Sequence, residues 1–327
     1  MAKTINWGIL GCGKIARKFA SDLLLLHDAQ LLAVASRDTT NAASFAKEYG
    51  AACSYGSYMN MLENPEIDVV YVATPHGLHY DHVMLCLEYG KAVVCEKAFA
   101  LNTDQAKQMI AKAREKKLFL MEAFWSKFTP SYNTTLQMVQ DGKLGEIKSI
   151  FINFGFIPQP PVAERIFDPA LGGGTLLDIG IYNVFYTLSF LGKPDHIESS
   201  MVPAITGVDE QCAILFQYNN GAFAQLFSSF SSHLPTEAFI NGTAGRIRIR
   251  NRFYTATAPV EFYPDFMDSR KVIPLPELRG WGYHYEAAHV NDCLRKGLHE
   301  SPVMRHADTI LLMETLDAVR EQWKERI

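Results

Sequence analysis

No run of apolar residues in this chain is long enough to cross a bilayer; the longest, such as Leu23–Leu26, end after a few positions. The six cysteines (Cys12, Cys53, Cys86, Cys95, Cys212 and Cys293) are scattered, with no two at a two-residue gap. That spacing excludes a zinc site and a disulfide framework, and it fits free thiols in a reducing cytosol. Neither sign of charge is in excess: 31 Lys and Arg against 35 Asp and Glu leave a net charge of −4. With a pI near 6.2, the surface suits neither nucleic acid nor an anionic membrane. The opening Met1-Ala-Lys-Thr4 runs straight into a strand pattern and does not read as a signal peptide. No internal repeat or low-complexity segment interrupts the chain. The expectation is a cytoplasmic protein without a metal, acting on a small molecule.

What is present is a sizeable core. Apolar residues make up 48% of 327, and that length suggests about two domains. Up to Ala123 the chain alternates strand and helix signals, the rhythm of a parallel sheet. Strands are expected at Ile5–Leu10, Gln30–Ala35, Ala51–Ser54, Asp68–Ala73, Ala92–Cys95 and Leu118–Glu122. Helices are expected at Ile15–Leu26, at Asn41–Tyr49 opened by Asn41, at His79–Tyr89 and at Thr103–Lys116. From Phe124 the rhythm changes. A helix over Ser131–Asp141 and a long strand at Ile147–Ile157 precede a loop rich in proline and glycine. A helix from Asp178 to Leu191 follows. Six strand-like runs come next, at Ile197–Val202, Gln211–Tyr218, Ala222–Ser229, Ala238–Asn241, Arg246–Arg250 and Val260–Tyr263, and helices at Tyr285–Lys296 and His306–Lys324 close the chain. Tight turns between sequential strands imply a mostly antiparallel sheet. The expected division is therefore a doubly wound dinucleotide-binding domain over 1–123 and an α+β domain with a large open sheet over 124–327. An antiparallel sheet with one free apolar face predicts a homodimer through that sheet.

Three motifs carry chemistry. The first, Gly11-Cys12-Gly13-Lys14-Ile15-Ala16, follows a strand and opens a helix, the context that a dinucleotide fingerprint requires. Gly11 permits the tight turn, Gly13 lets backbone approach a pyrophosphate, and Ala16 lets the helix pack on the sheet. The helix N-terminus offers N–H groups and partial positive charge to the phosphates. At the tip of the second strand stand Ser36 and Arg37, where an acid would grip the ribose 2′-hydroxyl of NAD. Arg37 suits a 2′-phosphate and favours NADP, while Asp38 keeps NAD open. A second cofactor wall is expected at Thr74-Pro75-His76-Gly77-Leu78-His79, at the carboxyl end of the fourth strand. His76 and His79 there read either as ligand contacts or as loop and cap residues.

The second motif is Glu96-Lys97, after the fifth strand at the same edge of the sheet. An ammonium there can hydrogen-bond a substrate oxygen and lower the pKa of a neighbouring phenol. The third is Gly173-Gly-Thr-Leu-Leu-Asp178-Ile-Gly180-Ile-Tyr182, which places an acid and a phenol one helical turn apart. A core face does not need that pair, and a site that moves a proton does. Asp178 also reads as a helix N-cap.

The order Gly-x-Gly-x-x-Ala, Ala-Thr-Pro-His-x-x-His, Glu-Lys, Gly-Gly-x-x-x-Asp-x-Gly-x-Tyr resembles the glucose–fructose oxidoreductase/inositol dehydrogenase (Gfo/Idh/MocA) family along essentially the whole chain. Within it, Phe119-Leu-Met-Glu-Ala-Phe-Trp125, Leu177-Asp-Ile-Gly-Ile-Tyr182, Tyr285-Glu-Ala-Ala-His-Val290, Cys293-Leu-Arg-Lys-Gly297 and Glu300-Ser-Pro302 resemble the dimeric dihydrodiol dehydrogenases, also described as NADP-dependent D-xylose dehydrogenases. The resemblance implies hydride transfer between NADP and a trans-dihydrodiol or an aldose. It assigns Lys97 and Tyr182 to proton handling with Asp178 beside them, and Trp125 and Phe154 to the substrate pocket. Two departures stand out. The family reads Glu-Lys-Pro, often with a cis peptide after the lysine, where this chain has Ala98; a cis bond before alanine is costly. The wider family often has histidine at the position of Tyr182. A non-catalytic NADP-binding regulator and a nicotinamide-dependent glycosidase are the alternatives.

Overall fold

The computed structural model of the chain describes residues 3–162, 164–264 and 269–323. It divides into two units, one of 1–128 with 278–310 and the other of 129–277 with 311–327. The expected boundary near 123 thus falls five residues early, and a late segment returns to the first unit.

In the first unit, β1 (Ile5–Leu10), α1 (Lys14–Leu23), β2 (Ala29–Ala35), α2 (Thr39–Tyr49), β3 (Cys53–Tyr55), α3 (Tyr58–Leu62) and β4 (Val69–Val72) are followed by α4 (His79–Glu88), β5 (Ala92–Glu96), α5 (Thr103–Lys116) and β6 (Leu120–Ala123). The strands form one parallel sheet in the order β3-β2-β1-β4-β5-β6, the doubly wound arrangement. Its central strands read as near-continuous apolar runs because helices cover both faces; every residue of β4 and β5 is buried. Helix α1 buries Ala16, Phe19, Ala20 and Leu23 and stops there, so Leu26 lies beyond its end. Helix α2 begins two residues earlier than expected, because Asp38, not Asn41, is its cap: one carboxylate oxygen accepts from Thr40 N at 2.8 Å and Asn41 N at 3.2 Å.

The second unit holds α6 (Pro130–Gln140), β7 (Ile147–Gly155), α7 (Ile181–Leu191), β8 (His196–Pro203), β9 (Asp209–Gln217), β10 (Phe223–Ser229), β11 (Ala238–Gly242), β12 (Arg246–Ile249), β13 (Val260–Tyr263) and β14 (Lys271–Ile273). These strands make an eight-stranded sheet, β14-β13-β12-β11-β7-β10-β9-β8, antiparallel except for the β7–β10 pair. The short β14 has no alternation of its own and went unanticipated. Helix α7 packs on β7 and β10. Phe151 and Phe223 project from strands of this sheet at 41% and 44% exposure.

The two last helices are α8 (Tyr283–Arg295) and α9 (His306–Glu321); the expected end of α9 at Lys324 lies outside the described residues. Helix α8 belongs to the first unit for two local reasons. Buried Asp22 of α1 accepts backbone N–H bonds from Gly282 and Tyr283, both at 2.7 Å, and so places a carboxylate at the positive end of α8. Trp7 of β1 donates to Asn291 at 3.0 Å. Helix α9 starts in the first unit and ends in the second, where Ser199 of β8 donates to Val319 O at 2.8 Å.

Candidate functional site

In the first unit the glycine turn is shaped by the backbone. Gly11 has φ +98°, and a Cβ there would sit 3.0 Å from the Thr74 side chain and 3.1 Å from Ala73 O. Only glycine accommodates both the conformation and the approach. Gly13, by contrast, has nothing within 4 Å of where its Cβ would be. It is the N-cap of α1, and the helix has neither a side-chain cap nor an acid in its first turn. Gly13 and Lys14 are exposed, Ile15 is half-buried and Ala16 is fully buried against the sheet. Open space before an uncapped, positively polarised helix end fits the pyrophosphate of a dinucleotide. Cys12 turns inward, its thiol 3.6 Å from Ala35 O and pushed up to about 11 by burial, so it is no thiolate.

At the tip of β2, Ser36 is buried and its hydroxyl accepts from Asp38 N at 3.2 Å. Arg37 is exposed. Asp38, the residue that kept NAD open, has its carboxylate engaged in capping α2. The wall after β4 is tied down by His79, which is fully buried: its Nε2 lies 2.7 Å from Thr74 O and its Nδ1 2.8 Å from Ala98 O. Burial holds this imidazole down at about 4. His79 therefore joins the Thr74–Pro75 loop to the segment after Lys97, and His76, also buried, packs edge-on against it at 5.7 Å. Thr74 and Pro75 are half-buried.

The Lys97–Ala98 peptide is cis, so the alanine keeps the geometry that the proline of the family motif would favour. Glu96 is buried and positions this segment: Tyr71 donates its hydroxyl to Oε1, and Lys97 N donates to Oε2 at 3.1 Å. The Lys97 side chain is half-buried. Trp125 is buried and stacks on Tyr283 at 4.6 Å between ring centroids. Near β6, Glu122 is buried; its Oε2 accepts from Thr309 at 2.9 Å, and burial raises the acid to about 7.

In the second unit the acid and the phenol stand on an irregular helix start. Leu176–Gly180 is a single π turn and α7 begins only at Ile181, so the expected continuous helix from Asp178 is opened at its first turn. The N-cap position of α7 is Gly180, not Asp178. Asp178 pairs instead with Arg165, Nη1 to Oδ1 at 3.2 Å. Asp209 of β9, buried and raised to about 6 by that burial, accepts from Thr175 Oγ1 and Leu176 N, both at 2.6 Å. A Cβ on Gly174 (φ +104°) would come within 2.2 Å of the same carboxylate, and one on Gly180 within 2.9 Å of Ser228 Oγ on β10. Those two glycines let the turn seat on the sheet.

Around it lies a set of rings. Tyr182 is buried and its ring is 4.7 Å from that of Tyr254; Phe154 stacks on Tyr254 at 4.7 Å and lies 6.0 Å from Tyr182. Burial raises the Tyr254 phenol, with the Asp178 charge adding to the rise and Arg252 opposing it. Asp178, Tyr182 and Phe154 thus share one neighbourhood. Sequence reasoning missed Tyr254, Arg165 and Asp209, which reach it from other elements and carry no motif. Among the described residues no group of three His, Cys, Asp or Glu could hold a metal, and no helix is long and apolar enough to cross a membrane.

Residues 5–124 match the family described as oxidoreductase family, NAD-binding Rossmann fold (GFO_IDH_MocA), and residues 132–248 match the GFO/IDH/MocA C-terminal domain. The chain is 38% identical over 326 residues to trans-1,2-dihydrobenzene-1,2-diol dehydrogenase of Xenopus tropicalis, with 97% of each covered. It is 36% identical over 330 residues to the Homo sapiens protein of the same name, covering 97% of this chain and 96% of that one. Among solved structures, KijD10, a 3-ketoreductase from Actinomadura kijaniata in complex with NADP and TDP-benzene, superposes with a TM-score of 0.87 at 26% identity over 98% of both chains. The aldose-aldose oxidoreductase from Caulobacter crescentus shares the fold, with a TM-score of 0.89 at 21% identity over 99% of both chains.

Proposed function

The chain belongs to the Gfo/Idh/MocA oxidoreductase family, and from that premise we propose that it is an NADP-dependent dehydrogenase acting on a CH–OH group of a polyhydroxylated substrate, a trans-dihydrodiol or an aldose such as D-xylose. The observation that carries this reading is the Phe154–Tyr182–Tyr254 ring set beside the Asp178–Arg165 pair. It combines apolar walls for the carbon skeleton with polar groups for hydroxyls. The relatives named trans-1,2-dihydrobenzene-1,2-diol dehydrogenase support a substrate of this kind.

The nicotinamide, when bound, supplies the hydride acceptor or donor. The chain's own residues do the rest. The turn Gly11, Cys12, Gly13, Lys14, Ile15 and Ala16 holds the pyrophosphate through backbone N–H groups at the start of α1, the N–H of Gly11 itself donating to Ala35 O. Ser36 and Arg37 read the ribose, and Arg37 selects NADP. Thr74, Pro75, His76 and Glu96 wall the cofactor, with His79 holding that wall in place. Lys97 hydrogen-bonds the substrate oxygen. Tyr182 takes the hydroxyl proton and, in the reverse direction, returns it to the carbonyl. Asp178 accepts from a second substrate hydroxyl, and Trp125 and Phe154 line the pocket.

The open face of the eight-stranded sheet, with Phe151 and Phe223 exposed, is proposed as the surface of a homodimer, and the cytosol as its compartment. The functional test is absorbance at 340 nm with NADP⁺, and separately NAD⁺, against a panel of diols and aldoses. Net reduction with NADP⁺ is expected. Sugar release without net reduction would assign a nicotinamide-dependent glycosidase, and cofactor binding with no turnover on any substrate a regulator.

A further inference from the structure

Within the first unit, two side chains that no motif singled out, Tyr58 and His82, stand with Thr74 at the carboxyl end of the sheet and within electrostatic reach of Arg37. Tyr58 opens α3, and its ring meets that of His82 edge-on, 5.0 Å apart. His82, on α4, has its Nδ1 2.9 Å from Thr74 Oγ1 at the end of β4. Arg37 acts electrostatically on both Tyr58 and His82, and Tyr58 in turn feels Cys12 of the glycine turn. The sheet order explains the meeting: β2 and β4 flank β1, so their carboxyl ends converge on the turn that follows it. This is where a doubly wound fold recognises the 2′ position of the adenosine ribose.

The acid that could have read a free 2′-hydroxyl, Asp38, is turned onto α2. What remains is Arg37 at the tip, with a half-buried imidazole within reach of its charge. Thr74 fixes that ring at one nitrogen, and Nε2 makes no hydrogen bond among the described residues.

We propose that His82, anchored by Thr74, is a second reader of the 2′-phosphate of NADP, accepting a proton as the phosphate binds. The proposal rests on the NADP reading above. Before binding, burial keeps the ring neutral more readily than a free histidine, with Arg37 acting in the same direction and Asp81 on its own helix opposing. His79, one turn back on α4, is fully buried with both ring nitrogens against carbonyls, and burial holds the Tyr58 phenol of α3 above its ordinary range. A dianionic phosphate reverses that balance, because an opposite charge in contact favours the imidazolium. Protonated, the ring donates from Nε2 to a phosphate oxygen as a charged donor, the stronger class of hydrogen bond.

The test uses the full chain and calorimetric titration at pH 7.5 with adenosine 2′,5′-bisphosphate and with 5′-AMP, in buffers of different ionisation enthalpy. The unaltered protein is expected to bind the bisphosphate more tightly and to take up protons only with it. His82→Gln is expected to lose the uptake and about tenfold in bisphosphate affinity, while 5′-AMP affinity is unchanged and shows that the site is folded. Thr74→Val, which frees the ring, is expected to lower bisphosphate affinity less. If the two ligands bind equally to the unaltered protein, the NADP reading fails and this proposal with it. If the bisphosphate is preferred but His82→Gln keeps both its affinity and its proton uptake, NADP stands and His82 is not its reader.

Discussion

The two units build their parts of the proposed site by opposite means. The first works largely through backbone: a glycine turn, an uncapped helix end, and carbonyls bound by His79. The second works through side chains standing on an irregular turn, Asp178 and Tyr182, held from a distance by Asp209 and Arg165. The difference is one of range. A backbone site is written in a few adjacent residues. A side-chain site depends on whatever the sheet brings up to it, here from β9, the 254 region and the loop before the π turn.

The contrast breaks most sharply at Tyr182. Tyr182→Phe is expected to cost at least ~10² in kcat, the scale of lost acid–base help, while NADP⁺ affinity, governed by the first unit, stays unchanged by fluorescence titration. Near-normal turnover would remove the phenol from proton handling. Next comes Gly174→Ala. A Cβ at φ +104° and 2.2 Å from the Asp209 carboxylate forces the turn off β9, which should destabilise the protein by about 3 kcal/mol. Chemical denaturation measures it; an unchanged midpoint would mean that the turn does not need this anchor.

Glu122 tests the first unit in the same terms. Its folded pKa is raised from 4.5 to about 7, so between those values the folded chain keeps a proton that the unfolded chain has lost. Its contribution to stability is therefore full below pH 4.5 and falls as pH rises to 7, by an amount on the order of 3 kcal/mol. Glu122→Gln should flatten that part of the stability–pH curve, read as the difference between the two proteins' unfolding midpoints. A parallel pair of curves would show that Glu122 ionises as it does in the unfolded chain. The smallest effect is sought at Tyr254→Leu, which keeps an apolar wall but removes the ring stacked on Phe154: KM should rise a few-fold with kcat nearly constant, the mark of lost uniform binding.

Legibility in the sequence follows the same division. The parallel sheet, its helices other than the five-residue α3, and the glycine turn are readable because their signals are local: apolar runs, Gly11 and Gly13, and the stop at Gly90. The large antiparallel sheet was readable from alternation and turn residues, except β14, which is three residues long. Asp178 and Tyr182 were readable as a pair, but the π turn was not, because it exists only where Asp209 holds Thr175 and Leu176. The sequence offers Asn41 as the cap of α2, whereas Asp38, three residues nearer the strand, has the carboxylate that does it. The return of 278–310 to the first unit has no local signal either. It depends on Asp22 meeting the N-terminus of α8, a contact across about 260 positions.

The most direct measurement follows an isotope. The protein is incubated with NADP⁺ and a substrate found active in the panel, deuterated at the carbinol carbon, and the reduced cofactor is analysed by mass spectrometry. Direct hydride transfer predicts deuterium in NADPH, one atom per substrate oxidised. Oxidised product with no label in the cofactor, or turnover that leaves the cofactor unreduced, would contradict the account.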